Sequence, residues 1–178
     1  AFLPASPAIA IGLEANGDLY RSFDGGQIWE KLPPPSSSGQ PGILAVSHAG
    51  TLYLVVSSLV FRSQDAGQTW SAAELLPDGM EVTCLAADLP VEDALIAGTR
   101  SGEILYTLDG GATWNAVRAT RSPTPVYAFA GMANGTLYAA TASGLLQSND
   151  GATSWHVASP TLQGQEIRAL HMNRTDAQ

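Results

Sequence analysis

The sequence predicts an all-β fold in which one four-stranded antiparallel unit recurs four times. Three observations carry this. An eight-residue pattern occurs four times, with its aspartates at Asp24, Asp65, Asp109 and Asp150, spaced 41, 44 and 41 residues apart. All four tryptophans of the chain lie in these copies, each five positions after its aspartate. No segment shows the apolar period of a helix, whereas short alternating runs bounded by glycine and proline recur throughout.

Length and composition set the bounds. A chain of 178 residues is enough for one domain with a core and too short for two comfortable ones. Hydrophobic residues make up 45% and charged residues 13%, against a usual charged share of about 25%. That excludes a disordered chain. The 18 Gly and 11 Pro suit many strands joined by tight turns. A net charge of −8, with Lys31 the single lysine, sets the surface against phosphate backbones and excludes a nucleic-acid partner. No run of 18 apolar residues exists, so no membrane-spanning helix is expected. Residues Ala1 to Pro4 show no basic region followed by an apolar one. A leader can have been removed, which leaves the compartment open with an extracytoplasmic one favoured. Cys84 is alone, so no disulfide forms within the chain.

The four copies are Ser22-Phe23-Asp24-Gly25-Gly26-Gln27-Ile28-Trp29, Ser63-Gln64-Asp65-Ala66-Gly67-Gln68-Thr69-Trp70, Thr107-Leu108-Asp109-Gly110-Gly111-Ala112-Thr113-Trp114 and Ser148-Asn149-Asp150-Gly151-Ala152-Thr153-Ser154-Trp155. They resemble the Asp-box (BNR) motif, Ser-x-Asp-x-Gly-x-Thr-Trp, of sialidase-like, sortilin-like and photosystem-assembly-factor-like β-propellers. The second copy matches at every position. The first has Ile28 for Thr, the third Thr107 for Ser, and the fourth Ala152 for Gly and Ser154 for Thr. The resemblance implies a β-propeller and is nearly silent on function, because such propellers include hydrolases, receptors and assembly factors.

Each box reads as a turn. The Asp is expected to accept backbone N–H groups one to three residues on, while the Ser or Thr hydroxyl ties the strand ends. Gly supplies the left-handed backbone angle and Trp packs into the core. These are scaffold roles. A calcium loop needs several oxygen ligands within a dozen residues, and each box offers one carboxylate.

Flanking segments repeat with the boxes. Second strands are expected at Ile9–Glu14, Leu52–Val56, Ala94–Thr99 and Leu137–Thr141, and third strands at Leu19–Ser22, Leu59–Ser63, Ile104–Thr107 and Leu145–Ser148. The Trp opens an outer strand. Innermost strands are expected at Ile43–Ser47, Val82–Ala86 and Val126–Ala130, each with a small third residue, and a further copy at Ile167–His171. The predicted blades span approximately 9–35, 42–77, 81–120 and 125–160, within a single domain of residues 1–178, and 165–173 is a closing strand. Pro4 and Pro7 stand where the innermost strand of the first blade would lie. The expectation is therefore that Ile167–Met172 pairs with Ile9–Glu14. That closes a four-bladed ring within one chain or an eight-bladed homodimeric ring between two, unless the chain is part of a longer propeller.

Chemistry has few carriers outside the boxes. A sialidase-type site needs three converging Arg and a Tyr with a Glu partner. The Arg are Arg100, Arg118, Arg121, Arg168 and Arg174, with Arg21 and Arg62 on third strands. A glycosidase needs two facing carboxylates, to be drawn from Glu14, Asp88, Glu92, Asp93, Glu103 and Glu166. His48, His156 and His171 never fall at metal-ligand spacing, and no glycine-rich phosphate loop precedes a helix, so no metal or cofactor is expected. No catalytic residue is assigned. A non-catalytic binding or assembly module for a protein or peptide partner is the expected function, with a propeller-type glycoside hydrolase as the alternative.

Overall fold

A computed structural model describes residues 2–3, 6–35, 40–77, 79–87, 89, 91, 93–120, 123–132 and 134–171. The described residues form four sheets of four antiparallel strands. The first holds β1 (Phe2–Leu3), β2 (Ser6–Leu13), β3 (Leu19–Ser22) and β4 (Glu30–Leu32). The second holds β5 (Gly42–Val46), β6 (Leu52–Val56), β7 (Leu59–Ser63) and β8 (Ser71–Leu75). The third holds β9 (Val82–Ala86), β10 (Leu95–Thr99), β11 (Glu103–Thr107) and β12 (Asn115–Arg118). The fourth holds β13 (Val126–Gly131), β14 (Leu137–Thr141), β15 (Gly144–Ser148) and β16 (His156–Val157). The one helical element among the described residues is a 3-10 turn at Pro160–Leu162.

Register makes the sheets equivalent. The box Ser or Thr lies opposite Ala10, Leu52, Leu95 and Leu137, and two residues further on Gly12, Leu54, Ala97 and Ala139 lie opposite Tyr20, Phe61, Leu105 and Leu146. Side chains alternate across a strand, so each sheet has one face toward its predecessor and one toward its successor. Sheets one and two share an apolar cluster of Ile11, Leu19 and Leu32 with Leu52, Leu54, Val56 and Phe61. Val55, Val60 and Leu76 meet Ala97 and Leu105 between sheets two and three. Ile96 and Ile104 meet Leu137, Ala139 and Leu146 between sheets three and four. Every residue of β6 and of β10 is buried because those strands lie between two neighbours. Each fully buried Leu or Val contributes roughly 1.5–3 kcal/mol.

The innermost strands approach closely. Thr83 Oγ1 donates to the Gly98 and Val126 carbonyls, and Cys84 Sγ donates to the same Val126 carbonyl at 3.6 Å. A Cβ at Gly98 would stand 2.7 Å from Cys84 Sγ and from Val126 Cβ, so only glycine fits there.

Two expectations about the chain ends need correction. The first sheet does not start on its second strand, because Phe2–Leu3 pairs with β2 as an innermost strand. Pro7 lies inside β2, near the start of the strand, where a missing N–H is tolerated; Pro4 is outside the described residues. Residues 167–171 form no strand and do not pair with β2 of the same chain. The Ile167 amide instead donates to the Thr141 carbonyl at 3.0 Å, holding this segment on the fourth sheet. Met172 is outside the described residues.

Candidate functional site

Antiparallel connection places the box turns on one rim of the molecule. The turns between second and third strands, and the entries to the innermost strands, lie on the opposite rim. The two rims differ in chemistry.

In each box the Ser or Thr hydroxyl donates to the Asp. The distances are 2.7 Å for Ser22 to Asp24, 2.8 Å for Ser63 to Asp65, 2.6 Å for Thr107 to Asp109 and 2.8 Å for Ser148 to Asp150. The same hydroxyl accepts the amide of Gly26, Gly67, Gly111 or Ala152. Asp Oδ1 accepts the amide four residues on, at 3.0 Å from Ile28 and 2.9 Å from Thr69, Thr113 and Ser154. In the first box Oδ1 also accepts the Gln27 amide at 2.9 Å, three residues on as expected; the amide common to all four boxes is one residue further. Two successive left-handed residues, such as Ala66 and Gly67, carry the chain back so that the fourth amide faces the carboxylate. Thr69, Thr113 and Ser154 add a hydroxyl donor to their aspartates.

These donors stabilise the anion. Thr69 chiefly, then Ser63, holds Asp65 at about 2, and Thr107 and Thr113 hold Asp109 at about 2. Ser154 draws Asp150 well below the usual carboxylate range. Asp24 is lowered by the Ile28 amide and the Ser22 hydroxyl. The indole N–H groups of Trp29, Trp70 and Trp155 donate back to the carbonyls of Gly26, Gly67 and Ala152, while Trp114 Nε1 is buried without a partner.

Two arginines brace one sheet against the next box, a role not readable from their positions. Arg21 is buried, pairs with Glu30 through Nε at 2.8 Å, and donates from Nη1 to the Ala66 carbonyl of the second box at 3.2 Å. One sheet on, Arg62 donates to Asp93, whose carbonyl accepts the Gly110 amide of the third box.

The opposite rim gathers exposed charge and one aromatic from sheets three and four. Arg100, in the β10–β11 turn, pairs with Glu81 at 2.7 Å. Arg118, at the end of β12, pairs with Glu103 at 2.7 Å, and Ser101 donates to the same carboxylate. Tyr127 is the second residue of β13 and donates to Glu166 at 2.9 Å. Arg168 pairs with Glu166 at 2.8 Å and lies over the Tyr127 ring, 5.2 Å from its centroid. The Glu166 hydrogen bond raises the Tyr127 pKa, against the pull of Arg168 and Arg100. Arg100 pulls Glu81 down, and Ser101 leads the lowering of Glu103.

The remaining candidates are scattered. Glu14 lies at the end of the β2 segment, His48 in the β5–β6 turn, His156 in β16 and His171 at the end of the described chain. Asp88, Glu92, Arg121 and Arg174 are outside the described residues. Cys84 is a core thiol that burial pushes up to about 12.

A family model for the BNR/Asp-box repeat matches residues 61–72, the whole second box with its flanks. The chain is a β-propeller of Asp-box repeats. Solved structures with this fold include YCF48 bound to D1 peptide, 20% identical, with a TM-score of 0.64 over 84% of this chain and 49% of that one. YCF48 from Cyanidioschyzon merolae is 22% identical, with a TM-score of 0.64 over 92% of this chain and 56% of that one. The GH74 xyloglucanase from Xanthomonas campestris is 21% identical, with a TM-score of 0.71 over 92% of this chain and 30% of that one. This propeller chain thus spans about half the length of the YCF48 chains and under a third of the xyloglucanase. No curated protein matches its sequence. Among the described residues, no helix is long and apolar enough to cross a membrane.

Proposed function

We propose that this propeller is a binding or assembly module for a protein or peptide. The rim holding Arg100, Tyr127 and Arg168 is its contact surface, and the Asp boxes are its scaffold. One observation carries the reading: the exposed Arg168 guanidinium lies over the half-buried Tyr127 ring at the entry to β13, and the exposed Arg100–Glu81 pair lies on the same rim. Tyr and Arg combine apolar area with directional donors and are enriched in protein interfaces. Glu81 and Glu166 hold the guanidinium groups in place and can yield them to a partner's carboxylates. The fold likeness to a peptide-bound YCF48 agrees with this use of a propeller.

The glycoside hydrolase reading draws on the GH74 likeness and on Glu81, Glu103 and Glu166 at the same rim. A general acid needs a raised pKa. Glu81 and Glu103 are both displaced downward. That favours binding over catalysis.

The test is selection from a displayed random-peptide library, run on the natural chain and on an Arg100→Ala/Arg168→Ala variant. Acidic peptides enriched on the first and lost on the second are the expected result. No enrichment, together with xyloglucan cleavage abolished by Glu166→Gln, overturns it.

A further inference from the structure

Two turns of the chain hold an Asn-Gly pair in the same frame, Asn16-Gly17 between β2 and β3 and Asn134-Gly135 between β13 and β14. In the first, the Glu14 amide donates to the Asp18 carbonyl at 2.9 Å and the Gly17 amide to the Glu14 carbonyl at 3.0 Å. The Asp18 amide donates to Asn16 Oδ1 at 2.9 Å. In the second, the Met132 amide donates to the Thr136 carbonyl at 2.8 Å and the Gly135 amide to the Met132 carbonyl at 3.0 Å. The Thr136 amide donates to Asn134 Oδ1 at 3.0 Å. Gly17 and Gly135 share a left-handed backbone, with φ of 86° and 87°, and both asparagines are exposed.

This frame assembles the parts of an acyl transfer. The bond to Oδ1 folds the asparagine side chain back along the chain, so Cγ lies beside the following glycine nitrogen. The amide that donates to Oδ1 also stabilises the negative charge this oxygen gains when Cγ is attacked. Glycine adds no side chain to obstruct the approach.

The surroundings of the two turns differ. A Cβ at Gly17 would stand 2.6 Å from the Gln40 carbonyl oxygen, so a neighbouring segment hems in the first turn. A Cβ at Gly135 would meet nothing within 4 Å. Asn16 Nδ2 donates to Asp18 Oδ2 at 3.3 Å, and the same oxygen accepts Lys31 Nζ at 2.6 Å, which fixes the side-chain amide. The Glu14 and Asp18 charges oppose loss of a proton from the Gly17 amide. The second turn has Met132 and Thr136 in their places, and the Thr136 hydroxyl donates away to Asn149 at 3.2 Å. Asp24-Gly25, Asp109-Gly110 and Asp150-Gly151 in the boxes are closed to this chemistry, because a carboxylate kept ionised by its donors is a poor electrophile.

We infer that Asn134 is a site of spontaneous deamidation to isoaspartate and that Asn16, in the same frame, is protected. The Gly135 nitrogen gives its proton to solvent base and bonds to Asn134 Cγ. The Cγ–Nδ2 bond breaks, Nδ2 takes a proton and leaves as ammonia, and a cyclic imide remains. Water opens the imide. Cleavage at Cγ gives aspartate, and cleavage at the backbone carbonyl gives isoaspartate, whose main chain runs through Cγ. The product lengthens the main chain and adds a negative charge in a turn bonded to Asn149 of the fourth box.

The test ages the full chain in mildly alkaline buffer, quenches it in acid and digests it with trypsin. Cleavage at Arg21 and Arg121 puts Asn16 and Asn134 in separate peptides. Mass spectrometry locates each amide-to-acid change, and protein isoaspartyl methyltransferase labels isoaspartate. Conversion several-fold faster at Asn134 than at Asn16, with isoaspartate the main product, is expected. In guanidinium chloride the gap should narrow, since Gln40 no longer confines Gly17. Asn134 converting no faster than Asn16, aspartate alone at position 134, or a gap unchanged in guanidinium chloride would each overturn the proposal.

Discussion

The first and second Asp boxes share one motif and differ in their surroundings. In the second, Thr69 gives both its amide and its hydroxyl to Asp65, Gly67 is buried under Leu32, and Trp70 packs into the core between the first two blades. In the first, Ile28 offers an amide and no hydroxyl, its side chain is exposed, and Trp29 lies open over Gly12. The motif closes a turn in both. It stabilises the fold fully only where the preceding blade covers its Gly and Trp. Local hydrogen bonds therefore make the turn, and packing between blades makes its energetic weight.

The largest effect expected from this contrast is at the tryptophans. Trp70→Ala should cost about 3 kcal/mol in urea unfolding, near the usual loss for a large core aromatic. Trp29→Ala should cost clearly less, because Trp29 is 44% exposed. Equal losses would break the comparison. Next come the box serines. Ser63→Ala deprives the buried Gly67 amide of its acceptor and should cost roughly 1–3 kcal/mol. Ser22→Ala should cost less, because water reaches the half-exposed Gly26 amide, and paired melting curves rank the two.

Acid sharpens the same point. Asp65 and Asp109 have folded pKa values of about 2, below the 3.8 of the free group. A depressed carboxylate stabilises the fold fully above its unfolded pKa. That contribution fades as pH falls from about 4 toward 2. Asp65→Asn and Asp109→Asn should flatten the loss of stability in that window, read from melting temperature against pH. The smallest effect is a gain. Ile28→Thr supplies the missing hydroxyl and should lower the Asp24 pKa with a slight rise in Tm.

The scaffold was legible because its determinants are local. Ser, Asp, Gly and Trp act within eight residues, so their spacing places both the turns and the strands beside them. The contact rim was less legible. Arg100 comes from the β10–β11 turn, Tyr127 from β13 and Arg168 from the segment after β16, and only the packing of sheets three and four brings them to one rim. A signal did exist, since Tyr127 and Arg168 occupy the same position of the repeated sequence pattern, where Leu44 and Thr83 stand in earlier copies. Exposure of Trp29 left no trace in the motif, because what differs is the absence of a covering blade. The first strand escaped notice because Phe2–Leu3 is two residues long, too short for any alternation to show.

The central claim is that the four box aspartates are closed, structural carboxylates. Carboxyl-carbon NMR titration of Asp24, Asp65, Asp109 and Asp150 tests it most directly. All four should titrate independently below the ordinary value of 3.8, with Asp24 the least displaced because it alone lacks the second hydroxyl donor, four residues on. A box aspartate titrating above that value, or two of them titrating as a coupled pair, would contradict it and place acid–base chemistry in the boxes.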